Sequence, residues 1–587
     1  MTIFRELRNR ATRPREEASS NQKIRVAATS SDIRGCMNLV QFVLRLSFAL
    51  LCVQLARMEP LAWGQVSHTA ASADTTAARP RVNCQVDTDP PSDAEKALSR
   101  RDYIAALELF QKMESSSPDV SRAGVIRTFL EEGKLKDAAD HAKNWQEVES
   151  GSGPAMETWA EVLYRKGELP EALKTVLEAR KLDPCNARAL LMASRIENLL
   201  GDHATAARQI TAAHMLAPHE IEVEEAWTST LRRPQRLEIE TTFAKDEGLL
   251  NAKDRKNLLE SLAHEQDYSK SDCQVVQPAD NAEFHMEEMM EDANHRKSFG
   301  LYVKLNGSQR TLELDSGASG ITLSRAAASR LKLVHDEKLM VGGIGDEGDI
   351  QSAVAHVESI RIGGLEFKHC PVTILEKGDK LGIDGLIGTD FFSKYLVTLD
   401  FPGRKVRLSP LPKRPGETPE DISGQGDDNV PVFHDRYIAP EMKDWTMVWR
   451  DGHELLLPVS IGGAKDKLFV IDTGAESMLI SPAAAREVTK VHGDFDTHMF
   501  GVSGEVKHVY QTQEFLVTFA HVRLHVDSMT AIDTNTLSKD EGIELSGFLG
   551  APLLNRLVLQ IDYRDNLVNL NYDEKKDPQN LAPIPFY

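Results

Sequence analysis

Two short apolar runs in the second half of the chain end in nearly the same polar turn. Leu312–Ala318 has the sequence Leu-Glu-Leu-Asp-Ser-Gly-Ala, and Leu468–Ala475 has Leu-Phe-Val-Ile-Asp-Thr-Gly-Ala. A second apolar run follows each turn at once, at 321–324 and 478–481. Short apolar runs bounded by turn residues predict β-strands. Each copy therefore predicts a strand, a turn and a strand, with an aspartate at the tip.

More than the acid repeats. Asp315 and Asp472 are 157 residues apart, and two apolar-apolar-Gly elements, ending at Gly388 and Gly550, are 162 residues apart. Similar spacing between several landmarks indicates a duplicated unit. A lone Asp-Ser/Thr-Gly is ordinary turn chemistry, but two copies with matching partners are specific. The pattern predicts two all-β lobes.

The two strand-tip acids are the candidate catalytic residues. Two carboxyl groups held close together cannot both ionise, so they share one proton and can activate a water between them. Asp315 and Asp472 would together form such a pair. This chemistry needs no metal or organic cofactor.

The repeated motifs resemble those of the retropepsin-like aspartic protease family, over roughly residues 273–587. The resemblance extends to bacterial proteins that carry helical repeats in front of such lobes. It implies a retropepsin- or pepsin-like acid protease fold in which each lobe supplies one catalytic aspartate, Asp315 or Asp472. It also implies dyad-supporting roles for the residues that follow each acid: Ser316, Gly317, Thr473 and Gly474.

Lobe 2 departs from the family pattern at two places. It has Ala551–Pro552 where lobe 1 has Thr389–Asp390, and Glu476 where lobe 1 has Ser319. These differences bear on peptidase strength more than on fold.

Glycine-rich segments between the landmarks are candidate substrate flaps. Gly343 and Gly345 lie in a G-x-G-x-x-G pattern in lobe 1, and Gly501 and Gly504 stand at the corresponding place in lobe 2. A dinucleotide fingerprint requires a parallel β-α-β unit, which this β-rich sequence does not predict. Flaps exclude water and hold substrate backbone, whereas a simple hairpin turn is the alternative.

The first half of the chain is helical in pattern. Gly133, Gly167 and Gly201 recur every 34 residues, and the surrounding sequence resembles tetratricopeptide (TPR) repeats. We expect an all-α TPR solenoid over 93–235 and a helical cap or linker over 236–272. Such an array offers a concave surface for a protein or peptide partner, or it is a packing spacer.

The N-terminus predicts export. Residues 1–64 form a polar extension and a signal peptide, with an apolar core at 46–56 and a small-x-small cleavage site at Ala62–Gly64. The alternative is an N-terminal membrane anchor. Residues 65–92 have the composition of a linker.

Composition and boundaries complete this organisation. Lobe 1 is expected over 273–412, a Pro-rich linker over 413–430 and lobe 2 over 431–587. The net charge of −20 argues against a nucleic-acid partner. The histidines have no metal-site spacing. Cys273 and Cys370 fall in one lobe and form either a disulfide or unpaired thiols.

These features predict a monomeric aspartic-type endopeptidase that hydrolyses peptide or protein substrates at a site shared by both lobes. One alternative is a non-catalytic TPR adaptor whose protease-like lobes bind peptides without cutting them. Another is a homodimer in which each lobe pairs with its copy in a second chain.

Overall fold

The computed structural model describes residues 4–5, 84–267, 273–277, 281–290, 296–334, 337–348, 350–375, 383–417, 433–464 and 466–577. The predicted signal peptide, most of the 65–92 linker and most of the linker between the lobes lie outside these residues. No helix in the described part of the chain is long and apolar enough to cross a membrane.

A helical region comes first. Its helices are α1 (Asp93–Ser99), α2 (Tyr103–Lys112), α3 (Pro118–Glu132), α4 (Leu135–Val148), α5 (Gly153–Arg165), α6 (Leu169–Leu182), α7 (Ala187–Leu200), α8 (His203–Leu216), α9 (Ile221–Thr228), α10 (Arg233–Lys245) and α11 (Ala252–Asp267).

The local sequence explains where these helices begin and end. Ser92 forms a capping box with Glu95 at the start of α1. Gly133 and Gly201 end α3 and α7 with φ of +86° and +94°, left-handed values that glycine adopts without strain. Pro118 is the first residue of α3, where a missing N–H costs nothing. Proline here starts a helix, in contrast to the unit-closing role that repeat spacing suggests.

Two disulfides join segments distant in sequence. Cys273 is bonded to Cys370, which settles the open question about that pair. Cys84 is bonded to Cys185, across 101 residues, and fastens the segment before α1 to the turn between α6 and α7. The sequence alone did not predict this second bridge.

The strands that build lobe 1 follow the helices. They are β2 (Gln274–Gln277), β3 (Ala282–His285), β4 (Glu287–Met290), β5 (Arg296–Leu305), β6 (Ser308–Asp315), β7 (Ile321–Ser324), β8 (Glu337–Val341), β9 (Ile350–Ile362), β10 (Leu365–Leu375), β11 (Gly385–Gly388), β12 (Leu396–Asp400) and β13 (Lys405–Ser409), with the short helix α12 (Arg325–Arg330) after β7. A two-residue strand, β1 (Phe4–Arg5), precedes all other elements.

Lobe 2 repeats this arrangement with small differences. Its strands are β14 (Thr446–Met447), β15 (Trp449–Asp451), β16 (Glu454–Ile461), β17 (Lys467–Ile471), β18 (Leu479–Ile480), β19 (Val491–Asp494), β20 (Met499–Gly501), β21 (Gly504–Val506), β22 (Val509–Thr512), β23 (Phe515–Phe519), β24 (Val522–Val526), β25 (Thr530–Ile532), β26 (Gly547–Leu549), β27 (Leu557–Asp562) and β28 (Leu567–Tyr572), and its helices are α13 (Pro482–Arg486), α14 (Asn535–Asp540) and α15 (Ala551–Leu554).

The strands form one large sheet in each lobe and one shared sheet. β2 and β4–β11 make the first, β15–β19 and β22–β26 the second. The closing hairpins of both lobes meet in a six-stranded sheet of order β14-β28-β27-β12-β13-β3, in which Leu399 of lobe 1 pairs with Leu559 of lobe 2. β1 pairs with β20. The shared sheet fixes the two lobes to each other.

The helical region packs directly on lobe 2. Glu544 N donates to the Arg165 carbonyl at 2.9 Å, and Asn566 Nδ2 donates to the Leu199 carbonyl at 3.1 Å. Apolar side chains of α5–α7 and lobe 2 form one continuous buried cluster. It includes Leu163, Leu169, Ile196, Leu456, Leu468 and Phe548.

Candidate functional site

Asp315 lies at the tip of a strand buried on both sides. β6 ends at this residue, and its last four residues are all buried. β11 runs parallel to β6 with Gly388 opposite Asp315, and antiparallel to β7 on its other edge. Leu314 and Ile387 fill the core beneath the turn. The apolar-apolar-Gly element therefore supports the turn that carries the acid.

Asp472 occupies the same position in lobe 2. It follows β17, which is buried throughout, and β26 runs parallel to that strand with Leu549 opposite Ile471. β26 also pairs antiparallel with β18. Asp315 and Asp472 are both fully buried, and their carboxyl groups share a hydrogen bond.

Ser316 and Thr473 connect the two turns. Ser316 N donates to Thr473 Oγ1 at 2.9 Å, and Thr473 N donates to Ser316 Oγ at 3.0 Å. Each hydroxyl then donates across the lobe boundary, from Ser316 to the Ile471 carbonyl at 2.7 Å and from Thr473 to the Leu314 carbonyl at 2.9 Å. Four reciprocal hydrogen bonds thus hold the two acids in register.

Gly317 and Gly474 orient the carboxylates. Gly317 N donates to Asp315 Oδ1 at 2.8 Å, and Gly474 N donates to Asp472 Oδ1 at 2.9 Å. A Cβ on Gly317 would lie 2.8 Å from Asp472 Cγ, and one on Gly474 would lie 2.5 Å from Asp315 Cγ. Only glycine permits so close an approach of each turn to the opposite acid.

The electrostatics of the pair favour one shared proton. Burial and the adjacent Asp315 carboxylate raise the pKa of Asp472 to about 7, well above the ordinary aspartate value. A carboxyl held neutral beside a carboxylate can donate a hydrogen bond while its partner accepts a proton.

The glycine-rich segments of the two lobes meet each other. Ser503 N donates to the Ile344 carbonyl at 3.0 Å, and Glu347 N donates to the Ser503 carbonyl at 2.9 Å. The Gly343–Gly348 loop of lobe 1 therefore crosses the β20–β21 hairpin of lobe 2, on which Gly501 and Gly504 lie. A Cβ on Gly501 would stand 2.2 Å from the Ile344 carbonyl oxygen.

Ile344 places this crossing near the acids. Its buried side chain belongs to the same apolar cluster as Ala475, the residue after the second catalytic turn, and as Met499 and Val506 of the hairpin. The predicted flap glycines are therefore brought together in space, at the crossing of the two segments.

The departure of lobe 2 from the pattern has a local explanation. In lobe 1, Asp390 Oδ1 accepts from Gly320 N at 2.9 Å and its Oδ2 accepts from Ser319 Oγ at 3.1 Å. In lobe 2, Ala551 N donates instead to the Ala475 carbonyl at 2.8 Å, with Pro552 in the first turn of α15. Both turns are therefore fastened, by different groups.

Several residues near the acids were missed by sequence reasoning. His453 Nε2 lies 3.2 Å from the Gly317 carbonyl oxygen. Burial, with Glu541, Asp451 and Asp472 nearby, raises the pKa of Glu454 to about 8. Tyr563 shares a hydrogen bond with Thr389, directly after Gly388. No repeated motif contains His453 or Glu454, whereas the change from Asp400-Phe to Asp562-Tyr in the repeat was a usable signal for Tyr563.

Within the described ranges, no group of three or more His, Cys, Asp or Glu side chains could hold a metal ion. The chemistry available to the site is therefore argued from its two carboxyl groups and the hydrogen bonds around them.

The first lobe matches a known family. Residues 301–391 match the family model described as aspartyl protease. Lobe 1 is similar to the aspartyl proteases. The match spans β6, β7 and β11, and so includes the whole aspartyl-protease turn around Asp315. No curated protein matches the chain.

Two solved structures are similar to parts of the chain. The aspartic proteinase from Irpex lacteus is 11% identical, with a TM-score of 0.31, over 51% of this chain and 100% of that one. A retropepsin-like aspartic protease from Rickettsia conorii is 20% identical, with a TM-score of 0.17, over 24% of this chain and 94% of that one. Both scores are low, so neither similarity extends to activity.

Proposed function

We propose that the chain is an aspartic endopeptidase whose two lobes share one catalytic site. The observation that carries the proposal is the pairing of Asp315 and Asp472 at equivalent strand tips, with carboxyl groups that share a hydrogen bond and are locked by the Ser316–Thr473 bonds. The match of residues 301–391 to the aspartyl protease family supports it.

The mechanism uses the dyad as a unit. One carboxylate takes a proton from a water molecule as that water attacks the scissile carbonyl carbon. The other carboxyl, protonated, donates a hydrogen bond to the carbonyl oxygen as negative charge develops there. Because the two groups titrate together, the proposal assigns base and acid to the pair of Asp315 and Asp472.

The site would be complete within one chain. Both acids, both cross-lobe hydroxyls and both flap segments come from the same molecule. We therefore propose a monomer, with a peptide or protein as substrate and no cofactor. A homodimer that pairs each lobe with its copy would have to break the shared sheet.

We propose that the helical region is a TPR array that binds a protein or peptide. The 34-residue spacing of the helix-ending glycines Gly133 and Gly201, with two helices in each interval, supports this. Because α5–α7 are packed on lobe 2, such a surface would be fixed relative to the peptidase lobes.

Export to an oxidising compartment is part of the proposal. The two disulfides, Cys84–Cys185 and Cys273–Cys370, support it, because such bonds persist mainly outside the cytosol.

Incubation of the purified protein with an unfolded protein across acid to neutral pH tests this function. We expect internal cleavage, detected as new peptide termini by mass spectrometry, with no loss of rate when a metal chelator is added. Binding of the same protein without new termini at any pH would favour the non-catalytic adaptor.

A further inference from the structure

Tyr563 of lobe 2 reaches the turn that carries the catalytic acid of lobe 1. It follows the last residue of β27, is fully buried, and its phenol oxygen shares a hydrogen bond with Thr389 Oγ1. Thr389 directly follows Gly388, whose backbone pairs with Asp315. One side chain and one hydroxyl thus connect the lobe 2 hairpin to the support of Asp315.

Arg450 holds the Tyr563 ring in place. Its Nη1 donates to the Tyr563 carbonyl at 2.6 Å, and its guanidinium carbon lies 5.5 Å from the centre of the phenol ring. Its Nε donates to the Gly452 carbonyl at 2.8 Å. A cation over a buried aromatic face, tied at both ends, restricts the ring to one orientation.

The equivalent contact does not exist on the other side of the dyad. With the repeat offset of 162 residues, Thr389 corresponds to Ala551, and Tyr563 corresponds to Phe401. Both counterparts are buried and neither has a hydroxyl group. A buried hydroxyl is costly unless it is bonded, so the repeat has kept or lost the two partners together.

We propose that Tyr563 and Thr389 are positioning residues for catalysis, through which lobe 2 orients the Asp315 turn and makes the two halves of the dyad unequal. The inference rests on the proposed peptidase function. Neither side chain is exposed, so neither is available to contact substrate. Their loss should therefore change the rate of the chemical step and its pH dependence, and leave substrate binding alone.

Three substitutions remove or keep the hydrogen bond. Tyr563→Phe and Thr389→Val each remove one partner, and we expect kcat to fall roughly tenfold with KM within about twofold of wild type. The limbs of the pH–rate profile should shift as well. Thr389→Ser keeps a hydroxyl and should keep kcat within about twofold. The double variant should be no worse than the weaker single one, because both changes remove the same bond.

Tyr572→Phe is the matched control. Tyr572 lies on β28 of the same hairpin, and its phenol donates to Asp577 Oδ2 at 2.9 Å, so this variant also loses one hydroxyl bond of lobe 2. We expect it to keep kcat and both limbs of the pH profile.

The outcomes separate the two proposals. If Tyr563→Phe lowers the melting temperature but matches Tyr572→Phe in kcat per folded molecule and in pH profile, the bond is only structural and this inference is overturned. If the wild-type protein hydrolyses no peptide under any condition, the proposed function fails, and the inference fails with it.

Discussion

Ser316 and Thr473 each donate a backbone N–H to the other's hydroxyl, at 2.9 and 3.0 Å, although they are 157 residues apart in sequence. Both are buried, and both hydroxyls pass a further hydrogen bond to a strand of the opposite lobe. The geometry of the catalytic pair therefore depends on a contact between the lobes.

Replacement of Thr473 tests that contact. Thr473→Ala leaves the Ser316 amide and the Leu314 carbonyl buried without their partner, so we expect a loss of about 1–3 kcal/mol in unfolding free energy and a fall in activity. Thr473→Ser keeps the hydroxyl, as lobe 1 already does, and should retain most of both. Equal behaviour of the two variants in urea unfolding and peptide cleavage would contradict this role.

The raised pKa of Asp472 predicts a pH-dependent stability. In the unfolded chain its pKa returns to 3.8, whereas in the folded protein it is about 7. Between these values the folded state binds more protons, so stability is highest below about pH 4 and is lost as pH rises through about 7.

Asp472→Asn removes this titration. The variant should be more stable than wild type above about pH 8, by on the order of a few kcal/mol, and the difference should shrink towards pH 4. Urea unfolding at several pH values measures it. Asp527→Asn, at a side chain that is 98% exposed, is the control and should follow the wild type. Parallel pH curves for Asp472→Asn and wild type would show that the Asp472 pKa is not raised.

The crossing of the two glycine-rich segments predicts a steric effect on activity. Gly501→Ala would place a methyl group 2.2 Å from the Ile344 carbonyl oxygen, so the two segments must separate. We expect a loss of peptide cleavage of roughly tenfold or more, because flap closure excludes water and positions substrate. Gly364→Ala, where a Cβ meets open space, should have no such effect. An active Gly501→Ala enzyme would mean that the segments do not act as flaps.

The two disulfides predict a stability that depends on redox conditions. Replacement of Cys84 and Cys185 by serine, or of Cys273 and Cys370, should each cost about 2–4 kcal/mol. Peptide mapping of the unreduced protein should recover both cross-linked pairs. Alkylation of all four thiols in protein purified from an oxidising compartment would contradict the pairing.

The strand-tip acids could be predicted from sequence because their chemistry is local. Asp315 and Asp472 sit in short motifs whose apolar runs determine the strands and whose glycines determine the turns. The paired apolar-apolar-Gly elements at Gly388 and Gly550 were predictable for the same reason, since parallel pairing to β6 and β17 buries them.

Contacts between distant segments could not be predicted in this way. The Cys84–Cys185 bond joins the segment before α1 to a helical turn 101 residues later, and no spacing rule selects that partner. Packing of the helical region on lobe 2 depends on surface shape, as at Gly167, where an added Cβ would lie 3.1 Å from Leu468. Periodicity identifies such faces as buried without identifying what buries them.

The most direct test of the account replaces each catalytic aspartate separately and then mixes the variants. Asp315→Asn and Asp472→Asn should each lower peptide cleavage by about 10³-fold or more, because the dyad needs one ionised and one protonated carboxyl. Mixing the two inactive proteins should restore nothing, since both acids act within one chain. Half activity in each variant, or recovery on mixing, would contradict a single site shared by the two lobes.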